Sequence, residues 1–359
     1  MRLFRHSTAP ATGPREANPG ANPWRRFFRL AVGTAAITVG IIYAFVVLVD
    51  PFDTLPLSPA LDRVPVASNA RFAFPSLARS GRFDSALFGT STSRLLRPAA
   101  LDPAFGARFA NLAMNDATVY EQSRLFDVFR RAHPAPLVVM VGLDVRWCVT
   151  GDSFEMVTPR EFPAWMYDGS KWRGYAEMLN MYAVQEAGQL FGILVGAKPP
   201  TYGRDGYTSF VPPDSEYDAV RVAQHLRQEA GPASPAGPRV GPPASWRYPA
   251  LEVLAEDLAE LPASTRRVLF FVPYNHVRLW PPDSPTAAVW DECKRRVAAL
   301  AQRQPNTLVV DFMRPSPITA NDDNYWDSLH YRVAIADRLA RDLAAASRRE
   351  ASEDYRVLD

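Results

Sequence analysis

The sequence predicts a three-layer α/β protein, a parallel sheet covered by helices on both faces, held behind an N-terminal transmembrane helix. Three observations predict it: short apolar runs recur along the chain, longer helical patterns separate them, and one uncharged run of twenty residues stands near the start. Parallel strands need helical crossovers and are buried on both sides, so they read as continuous apolar runs. With 359 residues, 47% apolar and 22% charged, the chain can bury a sizeable core, and its composition excludes a disordered or fibrous protein.

Leu30–Val49, LAVGTAAITVGIIYAFVVLV, carries no charge. As a helix it would span about 30 Å, the thickness of a bilayer core. A cleaved signal peptide has a shorter apolar core, roughly 7–15 residues, and no small-x-small cleavage site follows Val49 cleanly. Residues 1–29 form a polar tail with six arginines against Glu16, and such a positive flank stays cytoplasmic. The chain is therefore expected to cross the inner membrane once, with everything after Asp50 outside the cytoplasm, in the periplasm of a Gram-negative cell. Of the total charge of +2, residues 30–359 hold about −3, so the globular part offers no general basic surface for nucleic acid.

Residues 50–82, with Pro51, Pro56, Pro59, Pro65 and Pro75, read as an extended linker. Residues 83–347 read as the domain, and 348–359 as a C-terminal tail. The strands expected are Ser85–Phe88 (SALF), Phe109–Leu112 (FANL), Leu137–Val141 (LVVMV), Val268–Val272 (VLFFV) and Thr307–Val310 (TLVV). Helices are expected over about Thr118–Ala132, Ala287–Arg303 and Tyr331–Ser347, the last with Val333, Ile335, Ala336, Leu339 and Leu343 on one face. Two stretches break the rhythm and read as insertions. Residues 151–217 are rich in Trp and Tyr and fit no simple crossover; residues 231–249 are a proline-rich irregular loop. Neither Cys148 nor Cys293 lies in a C-x-x-C pair, which argues against a structural zinc site. The two cysteines either pair with each other or stay buried and unpaired.

Candidate chemistry gathers at strand ends, where an open α/β sheet places its ligands. Gly89-Thr90-Ser91-Thr92-Ser93 follows the first strand directly. A serine on such a strand-to-helix turn presents an exposed hydroxyl beside helix N–H groups, which suits attack on an ester; the bland reading is a helix cap. Asn324–Tyr331 (NYWDSLHY) precedes the last helix. There Asp327 and His330, three residues apart, can share one cleft, with His330 as general base and Asp327 orienting its ring. The bland reading is a capping Asp beside a packed His. Val138–Trp147 (VVMVGLDVRW) ends a strand in Gly142-Leu143-Asp144, and Asn111–Thr118 reads NLAMNDAT. His276 also stands at a strand end, facing the cleft or satisfied within its loop.

In that order, G-x-S-x-S, N-L-x-x-x-x-A-T, G-x-D and a terminal D-x-x-H, the chain resembles the SGNH (GDSL-type) hydrolase superfamily over roughly residues 83–346 outside the insertions. The resemblance implies an SGNH/flavodoxin-like three-layer fold with Ser91 as nucleophile and Asp327 and His330 completing the triad. It also implies an oxyanion hole in which the second block's glycine falls on Asp116 and the third block's Asn falls on Asp144. A carboxylate there only accepts hydrogen bonds, so Asn115 or backbone N–H groups would have to compensate, unless Asp144 is structural and pairs with Arg146 or Arg94. With the anchor, the chain looks like the proteins that complete O-acylation of cell-surface polymers, such as alginate O-acetylation proteins and the D-alanine transfer protein of teichoic acids. That likeness implies acyl transfer to, or ester hydrolysis on, a polysaccharide or polyol, with a membrane-bound O-acyltransferase as partner and no metal or organic cofactor. The rival class is a non-catalytic SGNH-like protein that binds polysaccharide or assists envelope assembly.

Overall fold

The computed structural model describes residues 23–170 and 172–358, so Arg2, Arg5, Arg15 and Glu16 of the basic tail lie outside the described residues. Along the chain run α1 (Pro23–Val49), α2 (Ala70–Arg79), β1 (Ser85–Phe88), α3 (Ser91–Arg94), α4 (Pro98–Phe105), β2 (Phe109–Asn111), α5 (Val119–Ala132) and β3 (Val138–Leu143). Then follow α6 (Arg173–Glu177), α7 (Met181–Leu194), α8 (Ala219–Gln228), α9 (Pro249–Ala259) and β4 (Arg266–Phe271). The last elements are α10 (Pro285–Ala301), β5 (Thr307–Asp311), α11 (Val333–Ser347) and β6 (Arg356–Val357). The protein is mixed α/β with one six-stranded sheet, ordered β2-β1-β3-β4-β5-β6.

β1 to β5 pair in parallel, and β1 and β3 are buried along their whole length. The sixth strand was not legible as one. Residues 356–357, expected in a tail, pair antiparallel with Val310 and Asp311. β1 continues to β2 on one side of the sheet, whereas β3 continues to β4 on the other. The connections therefore diverge between β1 and β3, which opens a crevice at their C-terminal ends.

Local signals explain most elements. Thr118 caps α5 with a capping box: its side chain accepts from the Glu121 N–H, and Glu121 accepts from the Thr118 N–H. Ser284 caps α10, and Pro285 occupies the first turn, where its missing N–H costs nothing. α1 is 27 residues long, among them the twenty uncharged ones, and is long and apolar enough to cross a membrane.

Residues 50–82 are not an extended linker. They carry α2, whose Phe72, Phe74 and Leu77 are buried and which packs against α5. Pro75 lies inside α2, where a proline leaves the carbonyl four residues earlier without its helical donor. That carbonyl, of Arg71, instead accepts a hydrogen bond of 2.8 Å from the Tyr167 hydroxyl. The donor comes from the 151–217 insertion, so the helix is completed by a residue almost a hundred positions away. The insertion packs against α1 and α2 and also meets the sheet's edge: Tyr182 touches Phe52 and Phe72, Tyr202 touches Phe74, and the Asp205 carbonyl accepts from the Asn111 N–H of β2 at 2.8 Å. Trp165, Tyr167 and Tyr202 are buried there as a local core.

Cys148 and Cys293 form a disulfide that ties the segment after β3 to α10.

Candidate active site

Gly89 ends β1 and turns the chain into α3 with φ +149°, a conformation side chains disfavour. A Cβ on Gly89 would lie 2.4 Å from Ser93 Oγ, and one on Gly142 only 1.8 Å from the same atom. The two glycines thus leave room for Ser93 to wedge between β1 and β3. This wedge presents Ser91 at the crevice.

The other half of the site is a tight turn before α11. Tyr325 and Tyr331 bridge across it, and the Trp326 N–H donates to the His330 carbonyl at 2.8 Å. The Tyr331 hydroxyl donates to the Thr92 carbonyl, fastening this turn to α3. Ser328 N–H donates to Glu229 Oε2 at 3.0 Å, and its carbonyl accepts from the Asn275 N–H.

Between these two fastened turns, the Ser91 hydroxyl stands 2.9 Å from His330 Nε2. His330 Nδ1 stands 2.7 Å from Asp327 Oδ2, and Asp327 Oδ1 accepts from the N–H groups of Leu329 and His330, each at 2.8 Å. Burial pushes the Asp327 carboxyl up. The hydrogen bond and charge of His330, with the two backbone donors, outweigh burial and hold it below the usual carboxylate range. An ionised Asp327 fixes the proton on His330 Nδ1 and leaves Nε2 to accept from the serine. The Phe210 ring meets the imidazole edge-on at 5.2 Å.

Asp144 and its neighbours lie at the same end of the sheet with their side chains engaged. Asp144 is buried; its Oδ2 accepts from Thr90 Oγ1 at 2.5 Å and its Oδ1 from the Arg146 N–H at 2.9 Å. Burial pushes its carboxyl above the ordinary range. Neither arginine expected as its partner ion-pairs with it. Arg146 pairs with Asp116 and Glu155, while the buried Arg94 stacks on Phe74, Tyr202 and Phe210. Asp116 has φ +54°, the left-handed backbone that glycine adopts freely and Asp tolerates. Asn115 is half-buried, and its Oδ1 has no hydrogen-bond partner in the protein. The His276 Nε2 bonds Asp322 Oδ1 at 3.0 Å on an exposed surface.

A cavity of about 340 Å³ opens beside the imidazole, lined by Phe210, Val211, Pro212, Val222 and Trp326, with Asp327 and His330 on one wall. Phe210 comes from the aromatic-rich 151–217 insertion; Glu229 and Tyr331 are contributors that sequence reading missed. Only Tyr331 carried a signal, its place next to His330. Among the described residues, no group of three or more His, Cys, Asp or Glu side chains is arranged to hold a metal ion. No protein-family model matches the chain, and no curated protein matches its sequence.

Proposed function

We propose that the chain is a membrane-anchored, SGNH-type serine enzyme with a three-layer α/β/α domain in the periplasm, which acylates a cell-envelope polysaccharide or related polymer, or removes acyl groups from it. The observation that carries the reading is the unbroken relay from Ser91 Oγ to His330 Nε2 and from His330 Nδ1 to Asp327. A serine hydroxyl is a weak nucleophile until a base takes its proton during attack. In this reading His330 Nε2 takes that proton as Ser91 Oγ bonds to the acyl carbon. The imidazolium is stabilised by Asp327 and returns the proton to the departing group. An acceptor hydroxyl then gives its proton to His330 and attacks the acyl-serine, and His330 passes that proton to the Ser91 Oγ as it leaves the acyl carbon.

The cavity borders His330 and Asp327, the side from which an acceptor hydroxyl would be deprotonated, which supports transfer to a bulky acceptor. Trp326 and Phe210 offer faces for a sugar ring. The oxyanion would be met by orphan N–H groups at the start of α3, with Asn115 turning its amide NH2 toward it. A membrane-bound O-acyltransferase would be the donor's source.

One observation favours a second reading. Asp144, which the resemblance sets at the position of an oxyanion donor, accepts two hydrogen bonds, as it would in a binding protein that kept the fold without the chemistry.

The test is covalent. Full-length protein in detergent is incubated with p-nitrophenyl acetate and followed by intact mass. Wild type is expected to gain one acetyl group, and Ser91→Ala none. Equal turnover by both proteins with neither labelled, together with normal polymer acylation in cells carrying only Ser91→Ala, would leave the binding reading standing.

A further inference from the structure

Anchor and domain overlap along the chain, and the overlap sets how deep the domain sits. The uncharged residues 30–49 of α1 follow Arg25, Arg26 and Arg29. A helix needs about twenty apolar residues to cross the hydrocarbon, and a guanidinium is disfavoured at its centre. With Arg29 at the inner boundary, the outer boundary falls near Val49. Yet the last turns of this span are already folded against the insertion. The Tyr43 hydroxyl donates to the Tyr175 carbonyl at 2.5 Å, the Phe45 and Phe191 rings meet edge-on at 5.6 Å, and Val46 and Val49 are buried. At 1.5 Å per residue, Phe45 lies about 6 Å and Tyr43 about 9 Å inside the boundary at Val49. Whatever touches them lies at similar depth.

The direction of α7 agrees. Tyr182, near its start, stacks on Phe52 beyond the span, whereas Phe191, near its end, touches Phe45 within it. α7 therefore runs back along α1 toward the bilayer, and its final turn continues inward past Phe191. The surface there is apolar and uncovered: Phe191 is 48% exposed, Val195 58% and Trp172 65%. Trp172 stacks on Tyr175 at 5.8 Å, and Trp and Tyr are the side chains that concentrate at membrane interfaces. Arg173 beside them is neutralised by Asp168 and Glu177. Lys198, past the end of α7, reaches back to Gln189 rather than down.

We propose that the end of α7 and the Trp172–Tyr175 pair at the start of α6 are inserted into the outer leaflet, so that lipid, at the headgroup–acyl boundary, covers this face and the domain sits in a fixed attitude on the membrane. The proposal rests on α1 spanning the bilayer and is independent of the chemistry at Ser91.

The test places nitroxide labels on single cysteines in the full-length protein, reconstituted in phosphatidylcholine vesicles, the native cysteines being held in their disulfide. Trp172→Cys and Val195→Cys are read for collisions with oxygen, which partitions into lipid, and with a water-soluble nickel chelate. Ile37→Cys reports α1 itself, and Val240→Cys, 85% exposed, reports water. Labels at 172 and 195 are expected to show an oxygen-to-nickel ratio several-fold above that at 240 and approaching that at 37. A water-like ratio at 172 and 195 with a lipid-like ratio at 37 overturns the seat and leaves the anchor. A water-like ratio at 37 as well overturns both. Labels water-like in pure lipid but shielded from both reagents in native membranes would assign the face to a protein partner and overturn lipid as its occupant.

Discussion

The turns that carry Ser91 and His330 and the helices α6 and α7 are both surface features of one domain, but they are held in different ways. Backbone groups and buried side chains over-determine the site turns. Asp327 accepts two N–H groups, Ser328 is bonded at both ends, Tyr331 reaches Thr92, and Ser93 fills a slot open only to a neighbour of two glycines. α7 instead meets α1 and the 50–80 segment through aromatic rings, and α6 meets them through the hydroxyls of Tyr43 and Tyr175. Directional bonds fix geometry to a fraction of an ångström, as a proton relay demands. Aromatic edges tolerate sliding, which suits a surface that conforms to a soft neighbour.

The largest test of this contrast is catalytic. If the proposed function holds, His330→Ala removes the base and should cost on the order of 10⁶-fold in kcat on a small ester, as loss of the base does in serine enzymes. Asp327→Asn keeps the shape but releases the tautomer, and should cost roughly 10⁴-fold. Met181→Ala, 80% exposed on α7, should leave the same rate unchanged. Ester turnover with each purified protein, its fold checked by circular dichroism, decides it. Equal rates for His330→Ala and wild type would break the assignment.

A smaller effect compares two glycines by thermal unfolding. Ala at Gly142 would put its Cβ 1.8 Å from Ser93 Oγ and 3.1 Å from the Phe270 ring. Such overpacking costs about 3 kcal/mol, and here it also displaces Ser91, so activity should fall with stability. Gly188 in α7 has nothing within 4 Å of its would-be Cβ. Gly188→Ala should stabilise by about 0.5–1 kcal/mol, because helical glycine loses more chain entropy than alanine. Gly142→Ala with unchanged melting and activity would remove the wedge argument.

The same contrast separates what the sequence made legible from what it did not. Five strands and the helices α5, α10 and α11 were readable because apolar runs, caps and periodicity are local. Ser91, Asp327 and His330 were readable because each sits where a strand ends or a helix begins, within a few residues of its own signal. α2 was misread from its proline because its rescuing donor, Tyr167, is distant in sequence. α7 is apolar on a side that meets α1, and no local pattern says which partner a helix will choose. The pairing of Cys148 with Cys293 and the bond from Glu229 to Ser328 are contacts of the same long-range kind. The ion pair expected of Asp144 is absent for the same reason: Thr90 of the Gly89–Ser93 turn and the Arg146 N–H supply its hydrogen bonds, while the Arg146 side chain pairs with Asp116 and Glu155.

An effect of similar size to that at Gly188 lies where α9 packs on α5. Asp257 of α9 accepts a hydrogen bond from Ser123 of α5 at 2.9 Å. Burial pushes its carboxyl up, and the nearby charges of Glu260, Asp127 and Glu256 add to this against the Ser123 bond, to about 7. In the unfolded chain the same carboxyl titrates near 3.8. Because the folded value is the higher one, the folded protein holds the extra proton between about pH 4 and 7. Its contribution to stability is therefore full below pH 4 and lost as pH rises through 7. Asp257→Asn keeps an acceptor for Ser123 and cannot ionise. It should melt like wild type near pH 4 and above it at pH 8, by on the order of 1 kcal/mol once screening of a partly exposed group is allowed for. Melting curves at both pH values, with Asp152→Asn on the exposed surface as control, read the difference directly. A gap that does not widen with pH would mean that Asp257 is ionised in the fold, and that the α5–α9 contact tolerates a charge as readily as α7 tolerates displacement.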